Sequence, residues 1–304
     1  MRLGAFLACA ATAPLIMAAA QPVRLQPSSP WVVDYGDESC HLIRTFGEGD
    51  SATTLMFEGY SPEKVDMLLI GAPLRTNYDE VSARFLPVQK NPQNGEVVQS
   101  ATGKPAIFFS RIDLLPDEAE AKVDAQLRQL AAYPHVRPPA TSLSDKLELQ
   151  SQRQEFAAST AELEIDERAG EHVIIETGSL GQAIKAFDQC MQDSLQDWGV
   201  DTQTEAKITR RPWLSNVGKL ISADDYPKEM LDQNQQSDVK ARVLVDAAGR
   251  VTKCTSLSHF KLPQFNQVVC EKITRNAKFE PAELADGTKV ASYDVIDIKF
   301  KIAQ

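Results

Sequence analysis

Four cysteines, at positions 40, 190, 254 and 270, constrain this chain more than any other feature, because of what precedes them. The opening run MRLGAFLACAATAPLIMAAAQ carries one cation, Arg2, then an uncharged stretch that closes on Ala18, Ala19 and Ala20. That is the layout of a secretory signal peptide, with small residues at the cleavage site and Gln21 as the first mature residue. Cys9 leaves with it, and Phe6, Leu7 and Ala8 fit a lipid-modification site poorly. Export places the other four thiols in an oxidising compartment, where they read as two disulfides with three possible connectivities. None sits in a CxxC pair or at a zinc-ligand spacing with histidine. Left uncleaved, the same run would be an inner-membrane anchor, a weak one given its alanines and Pro14.

The cysteine positions fit a two-domain chain. After a Pro/Ser-rich lead-in at 21–30, residues 31–115 alternate short β-branched, aromatic and aliphatic runs with turn signals such as Gly47 to Asp50 and Asn91 to Gly95. This predicts an antiparallel meander or small sandwich. Residues 116–134 read as a helix bracketed by prolines, with acids in its first turn, and 163–177 as a hairpin turning at Arg168, Ala169 and Gly170. The segment from Gly178 to Gly199 is the clearest helix, with Leu180, Ala183, Ile184, Phe187, Cys190, Met191, Leu195 and Trp198 on one face and Ser179 as its cap. Cys190 in the middle of that face must meet the β layer, and Cys40 is the other cysteine of this half, so the expected bridge is Cys40–Cys190. Residues 201–225, polar and poor in aliphatics, read as a linker. The fold class is therefore α+β: a β-rich domain with packed helices at 31–200, then a small domain at 226–302.

In that second domain Val239, Ala241, Val243 and Val245 share one face of a strand. The stretch VLVDAAGRVTKC turns at Gly249 and returns as a second strand, a helix spans Leu262 to Phe279, and YDVIDIKFKI is a final strand. Cys254 on the returning strand and Cys270 in the helix are sixteen positions apart, which suits a second bridge. The order helix–strand–strand–helix–strand, with Tyr226-Pro227, VLVDAAGRV, Phe279-Glu280-Pro281-Ala282 and Gly287 in sequence, resembles the C-terminal domain of the TonB family. The resemblance implies an antiparallel sheet packed on helices. It also implies a periplasmic protein that binds the plug or TonB box of outer-membrane transporters by strand addition at a sheet edge. By the same analogy Tyr226, Pro227, Val295, Asp297 and Lys299 are the candidate partner-binding residues.

A net charge of −10 and a pI near 5.0 argue against nucleic acid or anionic lipid as the main partner, and KITRRP at 207–212 reads as a surface turn. No catalytic constellation gathers: His41, His135, His172 and His259 are scattered, and no HExxH, GxSxG or phosphate-binding loop occurs. Asp117-Glu118 and Asp224-Asp225 lie at expected helix starts, and Cys40 and His41 diverge on a strand. The expectation is a non-enzymatic protein without metal or cofactor. A small-ligand or glycan-binding N-terminal domain is the second reading and an unrecognised hydrolase the third. An exposed edge strand would also permit a homodimer.

Overall fold

The computed structural model describes residues 21–62, 64–74, 81–100, 102–132, 136–167, 171–257 and 262–302. The leader, the turn at Arg168 to Gly170, His135 and His259 lie outside them. The N-terminal domain runs β1 (Val23–Leu25), β2 (Val32–Tyr35), β3 (Cys40–Phe46), β4 (Thr53–Ser61), β5 (Lys64–Gly71), β6 (Val81–Leu86), β7 (Gln93–Gln99), β8 (Pro105–Ile112), α1 (Asp117–Ala132), α2 (Leu143–Ser159), β9 (Glu162–Glu167), β10 (Glu171–Ile175) and α3 (Gly181–Asp197). The strands form one ten-stranded sheet in the order β1-β10-β9-β6-β7-β8-β5-β4-β3-β2, antiparallel except for β1 with β10. The sheet curls on itself: Pro27, just past β1, bridges to Phe46 at the end of β3.

Alternation explains the curl's inside. Cys40, Leu42 and Phe46 of β3, Leu55 and Phe57 of β4, and Val65, Met67 and Leu69 of β5 all point into one core. Phe57 stacks on Phe85 at 6.2 Å between centroids, and Phe156 of α2 meets Phe85 edge-on at 5.4 Å. α3 lies across the β2–β4 end, where a Cβ on Gly59 would fall onto the Met191 side chain. α2 has no counterpart among the elements expected from the sequence. Its start is fixed by a capping box in which Ser142 Oγ accepts from the Asp145 N–H and the Asp145 carboxylate accepts from the Ser142 N–H. It buries only Phe156 and Ala157, too little apolar stripe to register as a helix in the pattern.

The C-terminal unit adds α4 (Thr202–Glu205), β11 (Ile208–Arg210), β12 (Trp213–Leu214), α5 (Lys228–Asp232), β13 (Ser237–Val245), β14 (Val251–Ser256), α6 (Pro263–Asn276), β15 (Phe279–Glu280), β16 (Ala282–Leu284), β17 (Lys289–Val290) and β18 (Ser292–Phe300). Its main sheet is antiparallel, in the order β14-β13-β18. Phe265, Val269 and Ile273 of α6 pack on Val239, Ala241, Val243 and Val245. The expected linker at 201–225 is not a linker. β11 pairs with β16 and β12 with β15, so this segment is stitched into the domain by backbone bonds that need little apolar content. At the hairpin, Gly249 holds φ +81°, and a Cβ there would fall on the Phe279 carbonyl, so the turn sits directly on β15.

Both disulfides join a strand to the helix above it. Cys40 is bonded to Cys190 with Cα atoms 6.2 Å apart, and Cys254 to Cys270 with Cα atoms 5.5 Å apart. The first closes a span of 150 residues and the second one of 16. The chain-entropy model puts the shorter bridge at about 3 kcal/mol. Replacing Cys254 and Cys270 together by serine should lower the unfolding free energy by about 3 kcal/mol in a denaturant titration. An unchanged midpoint would show that the bridge contributes nothing.

Candidate protein-binding edge

The place to look for a partner is the outermost strand of the C-terminal sheet. β18 pairs with β13 on one side, and among the described residues no strand pairs with its other side. Register shows which groups face outward. The Val295 N–H donates to the carboxylate of Asp294, so it is turned away from the ladder. By the two-residue period of an antiparallel strand, the N–H groups of Asp297 and Lys299 share that outward direction. Both side chains are exposed. Lys240 of β13 lies 4.0 Å from the Asp297 carboxylate, and Lys299 and Lys301 lie 3.8 and 3.3 Å from Asp238.

The other residues that the resemblance singled out are placed differently. Tyr226 meets Phe265 and Phe300 edge-on, each at 5.5 Å, and its hydroxyl donates to the Gln235 carbonyl at 2.6 Å. Burial raises that hydroxyl's pKa. Pro227 is the residue that precedes α5. Tyr226 thus packs against the domain's own core beneath the sheet. The Val295 side chain is 3% exposed and belongs to a second apolar cluster with Tyr60, Leu195, Trp198, Val200, Leu257 and Tyr293.

That cluster is a seam between the two domains. Arg242 of β13 lays its guanidinium over Trp198, 3.4 Å from the ring centroid. It donates to the Glu38 carbonyl at 2.9 Å and pairs with the Glu38 carboxylate. Desolvation pulls its pKa down to about 10, which leaves it charged at neutral pH. Lys240 pairs with the buried Asp66 and sits over the Tyr60 ring at 4.2 Å. Asp66 also accepts from the Arg111 N–H at 2.9 Å. Beyond the cluster, Arg137 of the loop between α1 and α2 donates to Glu283 at 2.7 Å, Glu280 at 3.1 Å and the Arg211 carbonyl at 3.2 Å. The Thr141 N–H donates to the Thr209 carbonyl at 2.7 Å. Arg210 and Arg211, from the KITRRP stretch, pair with Glu283 and Glu205, so their charge is spent within the fold.

Near the seam Ser39, His41 and Asp34 fall in the spatial order of an acyl-transfer triad. Ser39 Oγ lies 3.2 Å from His41 Nε2, and His41 Nδ1 lies 3.2 Å from Asp34. The chemistry does not follow. Ser39 is buried and its hydroxyl donates to Glu58 at 2.7 Å, not to the imidazole. His41 has its pKa raised, first by the hydrogen bond to Glu58 and further by the charges of Glu58 and Asp34, against a lowering by burial. With its proton directed at Glu58, the Ser39 hydroxyl does not present it to the imidazole, as a general base would require. Cys40 points to the opposite side and is bonded to Cys190. His41 Nε2 instead lies 3.3 Å from the carboxylate of Glu58, which is 3% exposed.

A cavity of about 280 Å³ opens at the β7–β8 end, lined by Asn94, Arg111, Asp113, Glu120 and Asp124 among others. Burial and the neighbouring carboxylates raise Glu120 to about 7. Its walls are polar and acidic, unlike an apolar cleft for a ligand or glycan. Among the described residues no group of three or more His, Cys, Asp or Glu is arranged to hold a metal, and no helix is long and apolar enough to cross a membrane.

Residues 222–302, a little over a quarter of the chain, match the family described as Gram-negative bacterial TonB protein C-terminal. No curated protein and no solved structure matches the chain. The C-terminal domain is thus similar in sequence to a TonB C-terminal domain.

A pH titration tests the His41–Glu58 pair. His41's pKa is raised by folding, so its stabilisation is full below the unfolded value of about 6.5 and is lost as pH rises through the folded value. Unfolding temperatures of the wild type and His41→Gln should therefore differ most at pH 6 and converge towards pH 9. A gap that widens with pH would contradict the pairing.

Proposed function

We propose that this is a cell-envelope protein, exported to the periplasm, whose TonB-type C-terminal domain captures an extended segment of a protein partner along the outer edge of β18. The observation that carries the reading is the coincidence of two facts. The family match covers this domain, and the edge strand turns backbone donors outward at Asp297 and Lys299. An added strand gains its affinity from main-chain hydrogen bonds and its specificity from alternate side chains. Asp297, Lys299 and Lys301 offer mixed charge there, and a partner of extended, polar-flanked sequence suits them. The plug segment or TonB-box region of an outer-membrane transporter is the partner class that the family supports.

The role is binding and not catalysis. The Ser–His–acid grouping near the seam directs its serine proton at Glu58 and not at the imidazole, and that serine is buried. The N-terminal domain is the platform that sets the direction of the edge, because no extended arm separates it from the C-terminal sheet.

Proline at 299 makes a sharp test. It removes an outward N–H and spares the ladder to β13, a position where strands accept proline. Pull-down of outer-membrane transporters, or of their plug peptides, should fall at least about tenfold for Lys299→Pro while the fold stays intact by circular dichroism. Equal recovery by the wild type, Lys299→Pro and a chain truncated before Tyr226 would refute strand addition.

A further inference from the structure

The two halves of β18 have different surroundings. Tyr293 and Val295 are 1% and 3% exposed, under Tyr60 and Trp198 of the N-terminal domain, and the Arg211 guanidinium covers the Tyr293 ring at 4.7 Å. Ser292 donates to Glu205 at 2.7 Å. Four residues along the same strand, Asp297 and Lys299 are exposed. A strand laid along this edge sends alternate side chains to each face of the sheet. Those entering beside Tyr293 and Val295 would run into the seam, and those beside Asp297 and Lys299 would meet solvent.

We propose that the N-terminal domain is an autoinhibitory cap on the edge strand: with the seam closed, a partner finds only the 296–300 half of β18, and full-length pairing requires the domains to part. This rests on the strand-addition reading above. The seam is built to have two states. Its closing contacts include two cations, Lys240 and Arg242, each held between a carboxylate and an aromatic ring. Such ions are stable when paired and dry, or when hydrated and apart, and unfavourable in between. The lever is Glu38. Its side chain is 43% exposed whereas that of Arg242 is 2% exposed, so the pair can be reached from outside. The bonds of Arg137 to Glu280 and Glu283 lie outside the seam cluster and would tether the domains while the seam parts. A partner that needs the open state binds with its intrinsic affinity reduced by the fraction of molecules that are open.

The test uses the full-length protein, synthetic plug-segment peptides of outer-membrane transporters and two readouts: affinity by calorimetry, and hydrogen exchange of peptic fragments covering 292–296 and 297–300. In the wild type the 292–296 amides should exchange more slowly than those of 297–300. Glu38→Gln should speed exchange at 292–296 and tighten peptide binding by about tenfold. The charge-swapped pair Glu38→Arg with Arg242→Glu should return both towards the wild type. Asp66→Asn, on the other cation, is a second way to open the seam. If exchange rises but affinity does not, the cap is refuted while strand addition stands. If neither variant speeds exchange, or the two halves exchange alike in the wild type, there is no cap. If the open variants exchange fast and no peptide binds to any form, strand addition fails and the cap with it.

Discussion

Arg242 projects from β13 onto Trp198 with its guanidinium bonded to Glu38, and a cation so deeply covered dictates what lies on both sides of its strand. Towards α6, β13 buries Val239, Ala241, Val243 and Val245 in the small domain's own core. Away from α6, the same strand sends Lys240, Arg242 and Leu244 into the N-terminal domain. A charge removed from water must keep its partners, so this face cannot slide or tilt without breaking ion pairs. Cation–π contact with Trp198 and Tyr60 adds about 0.5–2 kcal/mol each when desolvated. The small domain is therefore seated rather than tethered, and the direction of its outer edge is inherited from the large one.

Seating changes the energetics of capture. For the exposed 296–300 half of β18, a module already fixed on a platform has less orientational freedom to lose on docking than one on a loose arm. The two disulfides act in the same direction. Cys40–Cys190 pins α3, whose C-terminal end supplies Leu195 to the seam with Trp198 just beyond it, and Cys254–Cys270 pins α6 behind the sheet. Each staple holds a layer adjoining the sheet that bears β18.

Much of this was legible in the sequence wherever one face of an element is buried and the other is wet. The apolar face of α3, the alternation in β13 and the cysteines that suited pairing across those faces all rest on that regularity. The seam was missed because it breaks the regularity. Lys240 and Arg242 look like a solvent face, and only the context of Trp198 and Glu38 makes them interior. A signal was present in β18, where Tyr293 and Val295 are followed by Ile296, Ile298 and Phe300. That shift of phase marks a strand buried first on one face and then on the other. Residues 201–225 went unread for a related reason, since β11 and β12 are held by backbone pairing and not by an apolar pattern. Of the candidate binding residues, Asp297 and Lys299 stand on the edge, Val295 gives its N–H to Asp294 while its side chain closes the seam, Tyr226 packs on the core beneath the sheet, and Pro227 precedes α5.

The central claim is that the outer edge of β18 is completed by a partner's strand, and the amides of Asp297 and Lys299 report on it directly. Residue-resolved exchange by nuclear magnetic resonance should find both fast in the isolated protein. Saturation with a transporter plug peptide should slow each by at least about tenfold, as ladder hydrogen bonds form. Unchanged exchange at both residues in a demonstrably bound complex would place the partner elsewhere and contradict the account.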